Sequence, residues 1–223
     1  MSVKIEQIYA REILNSRGKP TVEVEMTCTN GLTVAASVPS GTSTGKYEAL
    51  EIYDGGSRYH GKGTRKAVEN VNQILAPAVI GMDVTDQRKI DRRLIELDGT
   101  KQKSRLGGNA ILGVSLVAAR AGALALGLPL YRYLGGLSAT RLPNVMSTVI
   151  SGGAFSPSGL EFEDYLYVLD GFSSFHDQVE AIMATLAASA TGTRQLIYTG
   201  TPPYPGCPGD VFRSRRTACL DAP

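Results

Sequence analysis

The chain has 223 residues, 43% of them hydrophobic and 20% charged, the proportions of a globular protein and not of a disordered tail or a coiled coil. Twenty-three Lys and Arg against 21 Asp and Glu leave a net charge of +2, which excludes a strongly basic nucleic-acid surface and a strongly acidic solvating protein. Three scattered cysteines are too few for a disulfide framework and point to a reducing compartment.

The first residues, Met1 to Glu6, carry Lys4 and Glu6 and no apolar run, so they read neither as a secretory signal nor as a transit peptide. Residues 3–39 read as an antiparallel meander. Val22, Val24, Met26 and Cys28 alternate with Glu23, Glu25 and Thr27, the period of a strand with one buried face. Asn30-Gly31 marks a hairpin, and Leu32–Val38 returns as the next strand. Upstream, residues 15–20 make a turn after a strand over Ile8–Leu14. Cys28 lies on the apolar face and reads as a small buried hydrophobe, not a nucleophile.

Beyond Pro39 the pattern becomes helical. Residues 66–75 place Ala67, Val68, Val71, Ile74 and Leu75 on one face, and Pro77 ends the helix. Thr85 is the expected N-cap of a second helix with Ile90, Leu94, Ile95 and Leu97 inward, closed by Asp98-Gly99. Asn109–Leu126 reads as a nearly apolar third helix at the centre of a helical layer. The apolar run Ala110–Leu128 is interrupted by Arg120 and carries Gly113, Gly122 and Gly127, which fits a buried helix better than a membrane span. Pro129 suits the first turn of a short helix through Leu134. Strands followed by helices make an α+β domain with helices on one sheet face.

Val145–Ile150 and Phe162–Val168 read as two further strands. Ser173 or Ser174 caps a helix over Phe175–Ala188 with Val179, Ile182, Met183 and Leu186 inward. Two strands and a helix are the beginning of a second domain. Residues 189–223 differ again: four Arg and two Asp, no Lys or Glu, five prolines, Cys207 and Cys219. They supply the whole net charge, show no period, and are expected to form a disordered tail, a Pro-rich recognition segment being the other reading. Two cysteines cannot complete a structural zinc site.

The most chemically suggestive stretch is Pro39-Ser-Gly-Thr-Ser-Thr-Gly-Lys-Tyr47. It is not a P-loop, which needs four residues between its glycines and a hydroxyl after the lysine; here there are three, and Tyr47 follows Lys46. Two readings remain: an ordinary surface loop, or one that covers an anionic ligand and lends oxygens to a hard cation such as Mg²⁺. Elsewhere the chemistry is sparse. His60 and His176 show no partner acid at ligand spacing. Lys101-Gln-Lys-Ser-Arg105 reads as a solvated basic run. Glu161 and Glu163 face away from Asp164 on an alternating strand, so these acids do not converge.

Longer stretches carry a family resemblance. Ala10–Val24, Val38–Gly45, Tyr47–Glu51, Gly61–Gly63, Ala67–Asn70, Gly81–Asp86, Glu96–Thr100, Leu106–Leu116 and Gly127–Tyr131 together resemble the N-terminal domain of enolase, phosphopyruvate hydratase. The likeness is nearly continuous from residue 5 to 136 and weaker to about 186.

The resemblance implies an α+β domain followed by an α/β barrel, and reversible dehydration of 2-phosphoglycerate to phosphoenolpyruvate. A lysine would take the α-proton and two Mg²⁺ ions would stabilise the enediolate, the logic of the enolase superfamily. It assigns the closing glycine loop to Gly41, Thr42 and Ser43, with Ser43 a Mg²⁺ ligand, and a dimer interface to Arg11 and Glu23. Departures accompany it. Phe155 stands where the family has a substrate-contacting histidine, and Phe cannot exchange a proton. Asp164 replaces a glutamate near the reacting hydroxyl, and Asn15 replaces a turn aspartate.

A barrel needs about 250 residues, whereas 82 remain from Leu142 onward, with no lysine after Lys103. The family's Gly-Asp-Glu-Gly-Gly motif, its metal carboxylates and its lysine base are missing. The expected organisation is therefore an enolase N-terminal-like domain over residues 1–140, an incomplete start of the barrel domain over 141–188, and an unrelated tail over 189–223. A truncated or frame-shifted product, with the frame changing near Ala187–Thr191, explains the break. The expected function is the lid domain of a cytoplasmic, glycolytic lyase, inactive alone, with possible partners a second copy or an intact enolase subunit, and neither nucleic acid nor membrane. The alternatives are a non-catalytic interaction domain, or a fragment of a paralogue with a different substrate.

Overall fold

Val22, Val24, Met26 and Cys28 are fully buried while Glu23, Glu25 and Thr27 between them remain partly exposed, so the alternation in sequence becomes an inner and an outer sheet face. The computed structural model describes residues 2–41, 44–153, 159–162 and 164–190, the last three by backbone alone. The chain divides into two compact units, Met1–Ala139 and Thr140–Pro223.

In the first unit, β1 (Ile5–Leu14), β2 (Pro20–Cys28) and β3 (Thr33–Ser37) form one antiparallel sheet in the order β1-β2-β3, the meander expected from the sequence. Asn15 builds the first turn: its Oδ1 accepts from the amides of Arg17 (2.9 Å) and Lys19 (3.1 Å). An asparagine oxygen accepts these bonds as a carboxylate would, so Asn15 leaves the turn intact. Gly31, at φ 80°, completes the second turn, and burial pushes the Cys28 thiol pKa up.

Helices cover the inner face. α4 (Gly108–Ala125) lies across β2 and β3, with eleven of its eighteen residues buried. By length and composition it could cross a membrane; here it is the core helix. At Gly113 an added Cβ would stand 2.7 Å from Val24 Cγ2 and 3.2 Å from Val38 Cγ2, so the missing side chain is what lets helix and sheet meet.

α1 (Arg65–Asn70) leads into a π turn over Val71–Leu75 and then α2 (Ala76–Val79). Pro77 therefore does not end the helix. The π turn precedes it, and the chain continues for two more helical residues. That turn aims Asn72 at β1, where its amide accepts from Ala10 N (2.7 Å) and donates to Ala10 O (3.1 Å), partnering an edge strand. Ile74, expected inside, is 40% exposed.

α3 spans Gln87–Asp98 and is capped by Asp86, which accepts from Lys89 N, and not by Thr85. Thr85 Oγ1 instead donates to Asp83 (2.7 Å). Ile90 and Leu94 are buried as expected, but Ile95 is 46% exposed; the third buried position belongs to Asp98. Burial pushes the Asp98 pKa up, and hydrogen bonds from Thr100, Leu106 and Arg105 outweigh it, leaving the carboxylate below its ordinary range. α5 (Leu130–Gly135) begins after Pro129.

In the second unit, β4 (Met146–Ser151) and β5 (Asp164–Val168) pair antiparallel, β5 starting two residues later than expected. α6 (Phe175–Ala190) runs past the boundary expected at 188. Ser174 Oγ caps it by accepting from Asp177 N (3.1 Å). Its inward residues are Gln178, Ile182 and Thr185, whereas Val179 and Met183, expected inside, are exposed. Gln178 accounts for the shift, because its Oε1 accepts from Val145 N (2.8 Å) ahead of β4. The tail from Thr191 lies outside the described residues.

Candidate functional site

The glycine loop leaves β3 at a fixed point. Thr21 Oγ1 donates to Val38 O (2.7 Å) and Val38 N to Val22 O (2.8 Å), so the chain reaches Pro39 held to the sheet. Gly41 follows and lines two cavities, of about 310 and 390 Å³. Thr42, Ser43 and Phe155 lie outside the described residues. Asp164 is exposed at the start of β5, in register with Ser151.

The smaller cavity takes Ser40, Thr44, Lys19, Lys62 and Tyr53 from its surroundings. The larger has an apolar floor that includes Val38, Ile111 and Leu112, with Asp91 and Lys103 among its charged residues. Glu48 and Glu51 line both. Each has an internal partner: Glu48 Oε2 accepts from Gly45 N (2.7 Å), and Glu51 accepts from the Tyr53 hydroxyl. Burial and that bond raise the Tyr53 pKa. Lys62 Nζ sits 4.5 Å above the Tyr53 ring.

Sequence reasoning missed the groups that hold residues 44–53, the arm that follows the glycine loop. Gln102, read as part of a solvated basic run, donates from Nε2 to Lys46 O (3.0 Å) and Glu48 O (3.1 Å). The buried Asn109 accepts from Ile52 N (3.1 Å) and donates to Ile52 O (3.0 Å). Beyond it, residues 54–63 close a loop through Asp54 N to Gly63 O (2.8 Å). Arg58 in that loop makes a forked bond to Glu12 of β1. The stretches Ala10–Val24, Tyr47–Glu51, Gly61–Gly63 and Leu106–Leu116, which carry the resemblance, contain several of these residues, but nothing in them signalled Gln102.

Arg11 and Glu23 stand opposite each other in the β1–β2 register. Arg11 Nε donates to Glu23 Oε1 (2.7 Å) and Nη2 to Glu25 Oε2 (3.1 Å). Bonds from Arg11 and then Ser37 lower the Glu23 pKa. His176 does have a partner acid, contrary to expectation: its Nε2 lies 3.2 Å from Glu180 Oε1 on the exposed face of α6. His60 is exposed.

No group of three or more His, Cys, Asp or Glu able to hold a metal ion occurs among the described residues. The described His, Cys, Asp and Glu residues therefore do not by themselves make up the oxygen-rich set that a hard divalent cation takes.

An antiparallel meander, a covering helical layer and a glycine loop sprung from the strand end define an α+β loop-bearing domain. Residues 5–134 match the family described as enolase, N-terminal domain, and the chain belongs to the enolase family. It is 56% identical over 182 residues to the enolase of Thermococcus kodakarensis, covering 82% of this chain and 42% of that one. It is 54% identical over 188 residues to the enolase of Methanothrix thermoacetophila, covering 84% and 44%, and 54% identical over 182 residues to that of Pyrococcus furiosus, covering 82% and 42%. The chain thus spans less than half the length of the curated relatives it matches.

Proposed function

We propose that this chain supplies the loop-bearing N-terminal domain of an enolase-type lyase, acting on 2-phosphoglycerate and phosphoenolpyruvate, and that it does not turn over substrate alone. The observation that carries this reading is the family match, which runs through the whole loop-bearing unit from residue 5 to 134. Its chemistry follows from what the domain holds. Gly41 lets backbone approach a ligand without a side chain intervening. Lys19 and Lys62 put ammonium donors in the same cavity, where Glu48 and Glu51 balance their charge.

The family's Mg²⁺ would need more oxygen ligands than the described residues bring together, so the ion enters the proposal as a requirement met by other residues. Ser43 remains the position in this chain that the resemblance assigns to it. Phe155 and Asp164, in place of a histidine and a glutamate, favour a second reading in which the parent enzyme is a paralogue with a different substrate. The outer sheet face bearing Arg11 and Glu23 is the proposed contact with a second copy or an intact enolase subunit, and the proposed location is cytoplasmic.

Calorimetric titration of the full chain with MgCl₂ tests the metal side of the proposal. The expected result is no site tighter than about 1 mM, the weak end of protein sites for hard cations. Micromolar binding would show a ligand set complete within this chain and would contradict it.

A further inference from the structure

Residues 44–53 belong to no helix or strand, so their backbone groups need partners from elsewhere. The partners come at every second residue. Lys46 O and Glu48 O accept from Gln102 Nε2, at 3.0 and 3.1 Å. Leu50 N donates to Gln102 O (2.8 Å) and Leu50 O accepts from Gly108 N (2.7 Å). The Ile52 amide and carbonyl close on the two ends of the Asn109 side chain, at 3.1 and 3.0 Å. The arm is hydrogen-bonded like a strand at an edge, but to two side-chain amides and the backbone of the turn before α4.

The glycines of that turn permit the approach. A Cβ on Gly107 would stand 2.7 Å from Asn109 Oδ1, and one on Gly108 would stand 3.0 Å from Ala49 Cβ. Asn109 is buried and Gln102 only partly so. The two amides therefore divide the work: Asn109 locks the root of the arm into the core, and Gln102 holds its outer half.

We propose that Gln102 is the positioning residue that latches residues 46–50, and with them Glu48, against the domain. The inference deepens the proposed function and rests on it for what the loop covers. The latch itself is tested without ligand or turnover, so its failure leaves the family role of the domain untouched.

The test is limited trypsin digestion of the full chain, following the Lys46–Tyr47 bond by mass spectrometry beside the Lys66–Ala67 and Arg88–Lys89 bonds. Gln102→Ala and Gln102→Glu are compared with the parent; glutamate keeps the size and, ionised, loses both donors. Loss of two neutral hydrogen bonds should speed cleavage at Lys46–Tyr47 about tenfold in both variants. The other two bonds and the melting temperature should stay at parental values. Gly113→Ala, which presses on Val24 in the core, serves as the global control and should accelerate all three bonds together. Unchanged cleavage at Lys46–Tyr47 in the Gln102 variants, or a rise shared equally by all three bonds, would overturn the latch.

Discussion

Glu12 sits in β1 under the loop of residues 54–64 and gathers four donors there, the Thr64 hydroxyl at 3.2 Å among them. Arg58 contributes two guanidinium nitrogens, one at 3.0 Å, and the Thr64 amide comes to 2.6 Å. The Arg58 bond lowers its pKa to about 2, with burial opposing and the Thr64 amide assisting. A carboxylate held below its unfolded value binds fewer protons folded than unfolded, so its stabilisation is complete above about pH 4.5 and fades as the pH falls toward 2. Glu12→Gln should cost about 2–3 kcal/mol at pH 7. Urea unfolding across pH 7 to 2 checks this: the parent and the variant should converge at the acid end. An undiminished gap at pH 2.5 would mean that the ion pair is not the cause.

At this scale the sequence is least readable. Glu12 and Arg58 are 46 residues apart, Gln102 and Lys46 are 56 apart, and Asn109 and Ile52 are 57 apart. Polar contacts over such separations leave no periodic trace. A glutamine between two lysines looks like solvated surface until the fold brings two carbonyls to it.

Elements were far more legible, because burial on one face imposes a period. The β2 alternation and the Asn30-Gly31 turn define the meander, and α4 reads from its apolar run to within a residue at each end. The misses share a cause, which is tertiary override of local pattern. Asp86 outcompetes Thr85 as the cap because Thr85 is already bonded to Asp83. Ile95 is displaced from the core by a satisfied Asp98, and Val179 and Met183 by a Gln178 that serves β4. Pro77 stays within a helix because a π turn comes just before it.

The α4–sheet contact makes a prediction at this scale. Gly113→Ala gains about 1 kcal/mol of helix propensity but puts a methyl 2.7 Å from Val24 Cγ2. Overpacking costs about 1–3 kcal/mol, so thermal melting should show a net loss for alanine and a larger one for Gly113→Val. Stabilisation by both would mean that the helix can move away from the sheet freely.

Taken whole, the chain joins a unit with a continuous core to one with little core of its own. Among the described residues beyond Ala139, Leu169 and Ile182 are the buried apolar side chains, while Met146, Phe162, Val168 and Met183 are each at least 60% exposed. The hairpin and helix there bury little apolar surface among the described residues. The matched part is 42% of the Thermococcus kodakarensis enolase and 44% of that of Methanothrix thermoacetophila. The family was legible because its motifs are long, ordered and concentrated in the well-packed unit. Thr42, Ser43 and Phe155 lie outside the described residues.

The most direct measurement is phosphoenolpyruvate formation from 2-phosphoglycerate by the purified chain, freed of host enolase, at saturating Mg²⁺. The account expects a rate indistinguishable from buffer. Turnover at the 1–1000 s⁻¹ roughly typical of enzymes would contradict it.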